Sequence, residues 1–101
     1  MSESPGRTEA PPSQHEEGRA ILAPNFLEDL TFWVKNDRRV ALRLLKLMDA
    51  VLRDPFRGEG KPEPLKHLGP GLWSRRITEE HRLVYRVLAG EVHFLQGRYH
   101  Y

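Results

Sequence analysis

Apolar positions along the chain follow first a helical period and then the period of a strand. Ala20-Ile21-Leu22-Ala23 is a short apolar run that reads as a strand ending at Pro24. Phe26, Leu30, Trp33 and Val34 then recur at the spacing of one buried helix face. Asn25 stands where a helix N-cap is expected, and Glu28 three residues on completes a capping-box pattern. Asn36-Asp37 interrupts this helix and caps a second, whose stripe is Val40, Leu44, Leu47, Met48 and Val51. Arg39, Arg43 and Lys46 lie off that stripe. Asp54-Pro55 ends it, because a proline pushes the preceding residue out of helical geometry.

Between 56 and 71 the pattern gives way to Gly58, Gly60, Pro62, Pro64, Gly69, Pro70 and Gly71. This is a loop longer than compact domains usually carry, and such loops are often functional. Three alternating runs follow, over 72–77, 81–88 and 91–99, separated by Thr78-Glu79-Glu80 and by a hairpin turn at Ala89-Gly90. One strand, two helices and an antiparallel meander predict a two-layer α+β domain. Its two N-terminal helices cover one face of a mostly antiparallel sheet of about four strands, and the other face is free to bind.

The 101 residues fit one domain, and the lack of cysteine excludes disulfides, thiolate metal sites and a cysteine nucleophile. No apolar run approaches the ~18 residues of a membrane span. With no apolar core of a signal peptide either, a cytoplasmic protein without a membrane partner is expected. Residues 1–18 are rich in Pro, Ser and Glu and predict a disordered extension, leaving 19–101 as the folded domain. Their Arg7 stands against Glu3, Glu9, Glu16 and Glu17, and removing this −3 from the chain's +2 leaves +5 on the domain. That surplus suits a polyanionic partner as well as it suits simple solubility.

Strand alternation decides which side chains can meet. Arg82, Val84 and Arg86 share one face of the middle strand, and Arg98 and His100 share one face of the last. An antiparallel meander can bring Arg82, Arg98 and His100 to one surface, with Arg76 joining from the preceding strand and Glu63 from the loop. A base, an acid and cations at the phosphate are what metal-free cleavage of RNA requires. Glu63, His100 and Arg82 are groups of those types. The same residues also admit a plainer arrangement, in which Arg82 and Glu63 form an ion pair and the terminus frays.

The five histidines show no ligand spacing for a metal, so neither metal nor cofactor is expected. His81 and His93 read as structural or surface residues and Trp33 as core. Trp73 reads as core or a dimer contact before it reads as a platform for a base.

Three blocks, KPEPLKH (61–67), WSRRITEEHRLVY (73–85) and the terminal RYHY (98–101), closely resemble the YoeB/Txe toxins of the RelE/ParE group of bacterial toxin–antitoxin systems. Their common order and spacing make the resemblance specific, and it runs from about Leu22 to Tyr101. It implies a RelE-like fold and a toxin that cleaves messenger RNA in the ribosomal A site without metal. On matching positions it implies Glu63 as general base, His100 as general acid, Arg82 at the transition-state phosphate and Tyr101 positioning the substrate. Lys66, Arg76 and Arg98 would bind RNA. The implied partners are mRNA on the ribosome, a YefM/Axe-like antitoxin and a second copy in a homodimer. Two other classes stay open: a ParE-like toxin acting on gyrase, and a non-catalytic module that binds RNA or protein. The chain departs from the family pattern in residues 1–18, in Leu68-Gly69-Pro70, at Arg86 and at Gln96-Gly97.

Overall fold

The computed structural model describes residues 18–99. The extension expected over 1–18 therefore lies outside the described residues apart from Gly18, and so do His100 and Tyr101. The elements run β1 (Arg19–Leu22), α1 (Pro24–Asn36), α2 (Arg38–Arg53), β2 (Glu63–Pro64), a 3-10 turn (Lys66–Leu68), β3 (Leu72–Arg76), β4 (Arg82–Leu88) and β5 (Glu91–Gln96). They form a two-layer α+β domain, as the pattern predicts. Among the described residues no helix is long and apolar enough to cross a membrane.

The sheet has five strands, in the order β1-β5-β4-β3-β2, against about four expected. The extra strand is β2, a two-residue segment of the supposed loop paired antiparallel to β3. With one proline in two residues it has no alternation to betray it. β1 pairs parallel to β5, and the two helices that follow β1 carry the chain across the sheet to β2 at its opposite edge.

α1 does not begin at the expected capping box. Ala23 is its N-cap, Pro24 sits in the first turn, and no side chain caps it. Proline is favoured at the first helical position, where its fixed φ is already helical and its missing N–H costs nothing, so the helix starts before Asn25. Asp37 does cap α2, accepting the Val40 N–H at 3.4 Å.

Phe26, Trp33, Leu44, Leu47 and Val51 of the helices pack on Leu83, Tyr85, Val92 and Phe94 of the sheet. Val34, expected in this stripe, is 54% exposed. A second, smaller cluster of Leu65, Leu72 and Val84, with Leu95 against it, lies on the opposite face. That face is thus partly covered by the segment after β2.

Candidate active site

The 54–60 loop owes its shape to a buried cation. Arg75 projects toward the helices and is fully buried. Its Nε donates to the Tyr85 hydroxyl at 3.1 Å, and its terminal nitrogens donate to the carbonyls of Asp54, Arg57 and Glu59. Tyr85 in turn donates to Pro55 O at 2.7 Å. Burial pushes the Tyr85 phenol up, while its hydrogen bond from Arg75 and that residue's charge pull it back. Arg43 of α2 adds a second brace, donating to Ile77 O at 2.8 Å and Arg76 O at 3.0 Å and pairing with Glu59 at 2.9 Å. The loop closes on the sheet where Arg76 N–H meets Gly60 O at 2.6 Å. Beyond it the chain can only enter beside β3, which sets Glu63 opposite Ser74.

Because Arg75 faces the helices, its neighbours Ser74 and Arg76 face away. Cross-strand partners share a face, so Glu63 opposite Ser74 and Arg82 opposite Arg76 project to the same side. Arg76 and Glu63 are exposed and Arg82 is half-buried. Glu63, Arg76, Arg82 and the exposed Lys66 make no ion pair or side-chain hydrogen bond among the described residues. The Glu63–Arg82 pair that the plainer arrangement requires does not form. Arg82 Nε and Ser74 Oγ are moreover buried without a hydrogen-bond partner. Unpaired donors beside an unpaired carboxylate are costly to the fold alone, and they are what an anionic ligand would satisfy.

Arg98 is not brought to this face. Arg98 lies beyond the end of β5 and ends beside α1. Its guanidinium lies 3.5 Å over the Phe32 ring and donates to the Tyr99 hydroxyl at 3.1 Å. The sheet also carries a register shift at Val84/Tyr85, which strict alternation cannot foresee. Past that shift alternation no longer sets the face of Arg98, whose side chain stacks on Phe32.

The approach to the C-terminus is nevertheless held. Gly97 N–H donates to Asp29 at 2.9 Å, and its carbonyl accepts the Trp33 indole N–H at 2.8 Å. Tyr99 O accepts the Arg82 N–H at 2.8 Å, and Tyr99 N–H donates to His81 Nδ1 at 2.6 Å. The expected roles of His100 and Tyr101 fall outside the described residues, but the residue before them is bonded to the backbone of Arg82. Trp73 packs on the main core and on Phe56, with ring centroids 5.1 Å apart. Among the described residues no three His, Asp or Glu side chains gather as a metal site would require.

Sequence reasoning missed Arg75, Arg43 and Asp29. The clearest available signal was phase: Arg75 alternates with Ser74 and so shares a face with Trp73, on the side where Leu83 and Tyr85 are buried.

Fold and face together define a class, a small two-layer domain that presents cations and a carboxylate, unpaired among the described residues, on one side of its sheet. The chain belongs to the YoeB family: residues 22–101 match the family described as YoeB-like toxin of bacterial type II toxin–antitoxin system. Toxin RelK of Mycobacterium tuberculosis is 53% identical over 78 residues, which span 77% of this chain and 92% of that protein. The YoeB dimer from Staphylococcus aureus superposes with a TM-score of 0.77 at 34% identity, covering 84% of this chain and 99% of that one. The heterotetrameric YoeB-YefM toxin–antitoxin complex from the same organism gives 0.73 at 35%, covering 82% and 97%. The chain is accordingly a toxin of a type II toxin–antitoxin system.

Proposed function

We propose that this toxin is a ribosome-dependent endoribonuclease that cuts mRNA in the A site and so stops translation. The observation that carries the reading is the unpaired Arg76–Arg82 pair on the face that also bears Glu63. Glu63 takes the proton of the 2′-hydroxyl, and the resulting oxygen attacks the adjacent phosphorus. Arg82 stabilises the charge that builds on the non-bridging oxygens. The bond to the 5′-oxygen breaks, and His100 supplies that oxygen's proton. The products are a 2′,3′-cyclic phosphate and a 5′-hydroxyl. Tyr101 positions the nucleotide, and Lys66 and Arg76 hold flanking phosphates. Arg98, stacked on Phe32, serves the tail instead of the phosphate.

A cytoplasmic site of action follows from the ribosomal substrate. A YefM-like antitoxin is the expected inhibitor, since an acidic segment laid over this face would satisfy the same free cations. A homodimer is the second expected assembly.

The test is cleavage on translating ribosomes by wild type, Glu63→Gln and His100→Ala, each with and without chelator. Wild type should cut within a codon in either condition, and both variants should lose about 10²-fold or more. A Glu63→Gln protein with near-full activity would remove Glu63 from the mechanism. Gyrase poisoning, or RNA binding without cleavage, would replace the reading altogether.

A further inference from the structure

His81 stands directly before Arg82, at the end of the turn between β3 and β4. Its own backbone is fixed there. The carbonyl accepts from Ile77 N at 2.9 Å and Thr78 N at 3.2 Å, and the N–H donates to Thr78 Oγ1 at 3.1 Å. The ring meets Trp33 edge-on, with centroids 4.8 Å apart, and the side chain is only 13% exposed. From this fixed position Nδ1 accepts the Tyr99 N–H at 2.6 Å.

The next residue completes the hold, because Arg82 N–H donates to Tyr99 O at 2.8 Å. Both backbone polar groups of Tyr99 therefore end on two consecutive residues of one strand entry. Tyr99 has φ +62°, a left-handed conformation that a bulky side chain keeps only where its surroundings dictate it. The carbonyl carbon of Tyr99 is bonded to the nitrogen of residue 100. Holding Tyr99 thus anchors, beside Arg82, the residue to which the last two are joined.

We infer that His81 is a positioning residue for RNA cleavage, its Nδ1 lone pair fixing Tyr99 and through it His100. This rests on the assignment of His100 as general acid. The role needs a neutral ring that carries its proton on Nε2, the nitrogen that Glu80 Oε1 approaches at 3.8 Å. A ring that merely fills space against Trp33 has no such requirement, and that difference can be measured.

The experiment compares wild type, His81→Asn, His81→Gln, His81→Phe and His100→Ala in single-turnover cleavage on programmed ribosomes. Asparagine carries an acceptor at the place of Nδ1, glutamine carries one nearer Nε2, and phenylalanine keeps the ring without an acceptor. The Phe and Gln variants should lose roughly 10²-fold in the maximal rate, as a misplaced catalytic group does, while half-saturation with ribosomes is unchanged. His81→Asn should stay within about threefold of wild type, since its acceptor keeps Tyr99 in place. Should the Phe variant fail to fold, the Asn–Gln contrast decides alone. Equal losses in Asn and Gln, full activity in Gln or Phe, or a loss confined to half-saturation overturns the inference. A cleaving His100→Ala protein, or wild type that does not cleave, overturns the underlying assignment instead.

Discussion

Arg76 and Arg82 lie directly opposite each other on β3 and β4, and neither guanidinium has an acidic partner among the described residues. Like charges across an antiparallel pair destabilise it by some tenths of a kcal/mol up to ~1 kcal/mol. Arg75 and Arg43 are held differently, bonded at several nitrogens, whereas Arg86 Nε, like Arg82 Nε, is buried without a hydrogen-bond partner. Arg76 and Arg82 form the cross-strand pair two residues along from Ser74, which Glu63 opposes, so they are the two proposed to face a ligand. Arg82→Gln should lower mRNA cleavage by roughly 10²–10³-fold, the effect of removing one transition-state donor. Its unfolding midpoint in urea should match wild type or exceed it. A variant that loses stability and keeps activity would make Arg82 structural.

Arg75 and Arg76 are adjacent and chemically identical, yet the opposite outcome is expected at Arg75. Arg75→Met leaves the carbonyls of Asp54, Arg57 and Glu59 without their donor inside the domain. These bonds are only part-buried, so water replaces part of what is lost, and the variant should lose about 1–3 kcal/mol in urea unfolding. Its cleavage should also fall, because the loop it braces sets Glu63 beside Ser74. A loss below about 1 kcal/mol would mean that the loop keeps its shape by other contacts.

This pair also marks how far the sequence could be read. Helices and meander were legible because Phe26, Trp33, Leu44 and Leu47 carry one period and Leu83, Tyr85, Val92 and Phe94 another. Where a single residue decides, the pattern was silent. Pro24 moved the start of α1, Pro64 hid β2, and the bulge at Val84/Tyr85 shifted the pairing of β4 with β5. Alternation let Glu63, Arg76 and Arg82 be expected on one face, and the register puts them there. The place of Arg98 was not legible, because it follows the register shift between β4 and β5 and lies beyond the strand.

Gly97 stands where a side chain would not fit. A Cβ at this position would come within 2.9 Å of Leu44 Cδ2 and 3.2 Å of Phe26 Cε1. Both neighbours are fully buried, so neither can retreat into solvent. Gly97→Ala should destabilise the domain by about 1–3 kcal/mol, the usual cost of overpacking. It should also disturb the bond from the Trp33 indole to Gly97 O, which intrinsic tryptophan fluorescence can follow. An Ala variant of wild-type stability would show that the tail sits farther from α1 and α2 than 2.9 Å implies.

Tyr85 makes alkaline stability a readout of the buried network. Burial raises the phenol above its ordinary value of 10.0, so the folded chain holds this proton more tightly than the unfolded chain does. Its contribution to stability is therefore complete below pH 10 or so and is lost as the pH climbs from there through the folded value. The ionised form would also lose its hydrogen bond to Pro55 O, since it has no proton to donate. Tyr85→Phe removes both the group that titrates and the acceptor for Arg75 Nε. At pH 8 it should unfold about 1–3 kcal/mol more easily than wild type. Between pH 9.5 and 11.5 the gap should narrow, because only wild type loses the Tyr85 contribution. Urea midpoints at half-unit intervals of pH test this directly. A gap that stays constant or widens over that range would show that the buried phenol does not govern the alkaline limb.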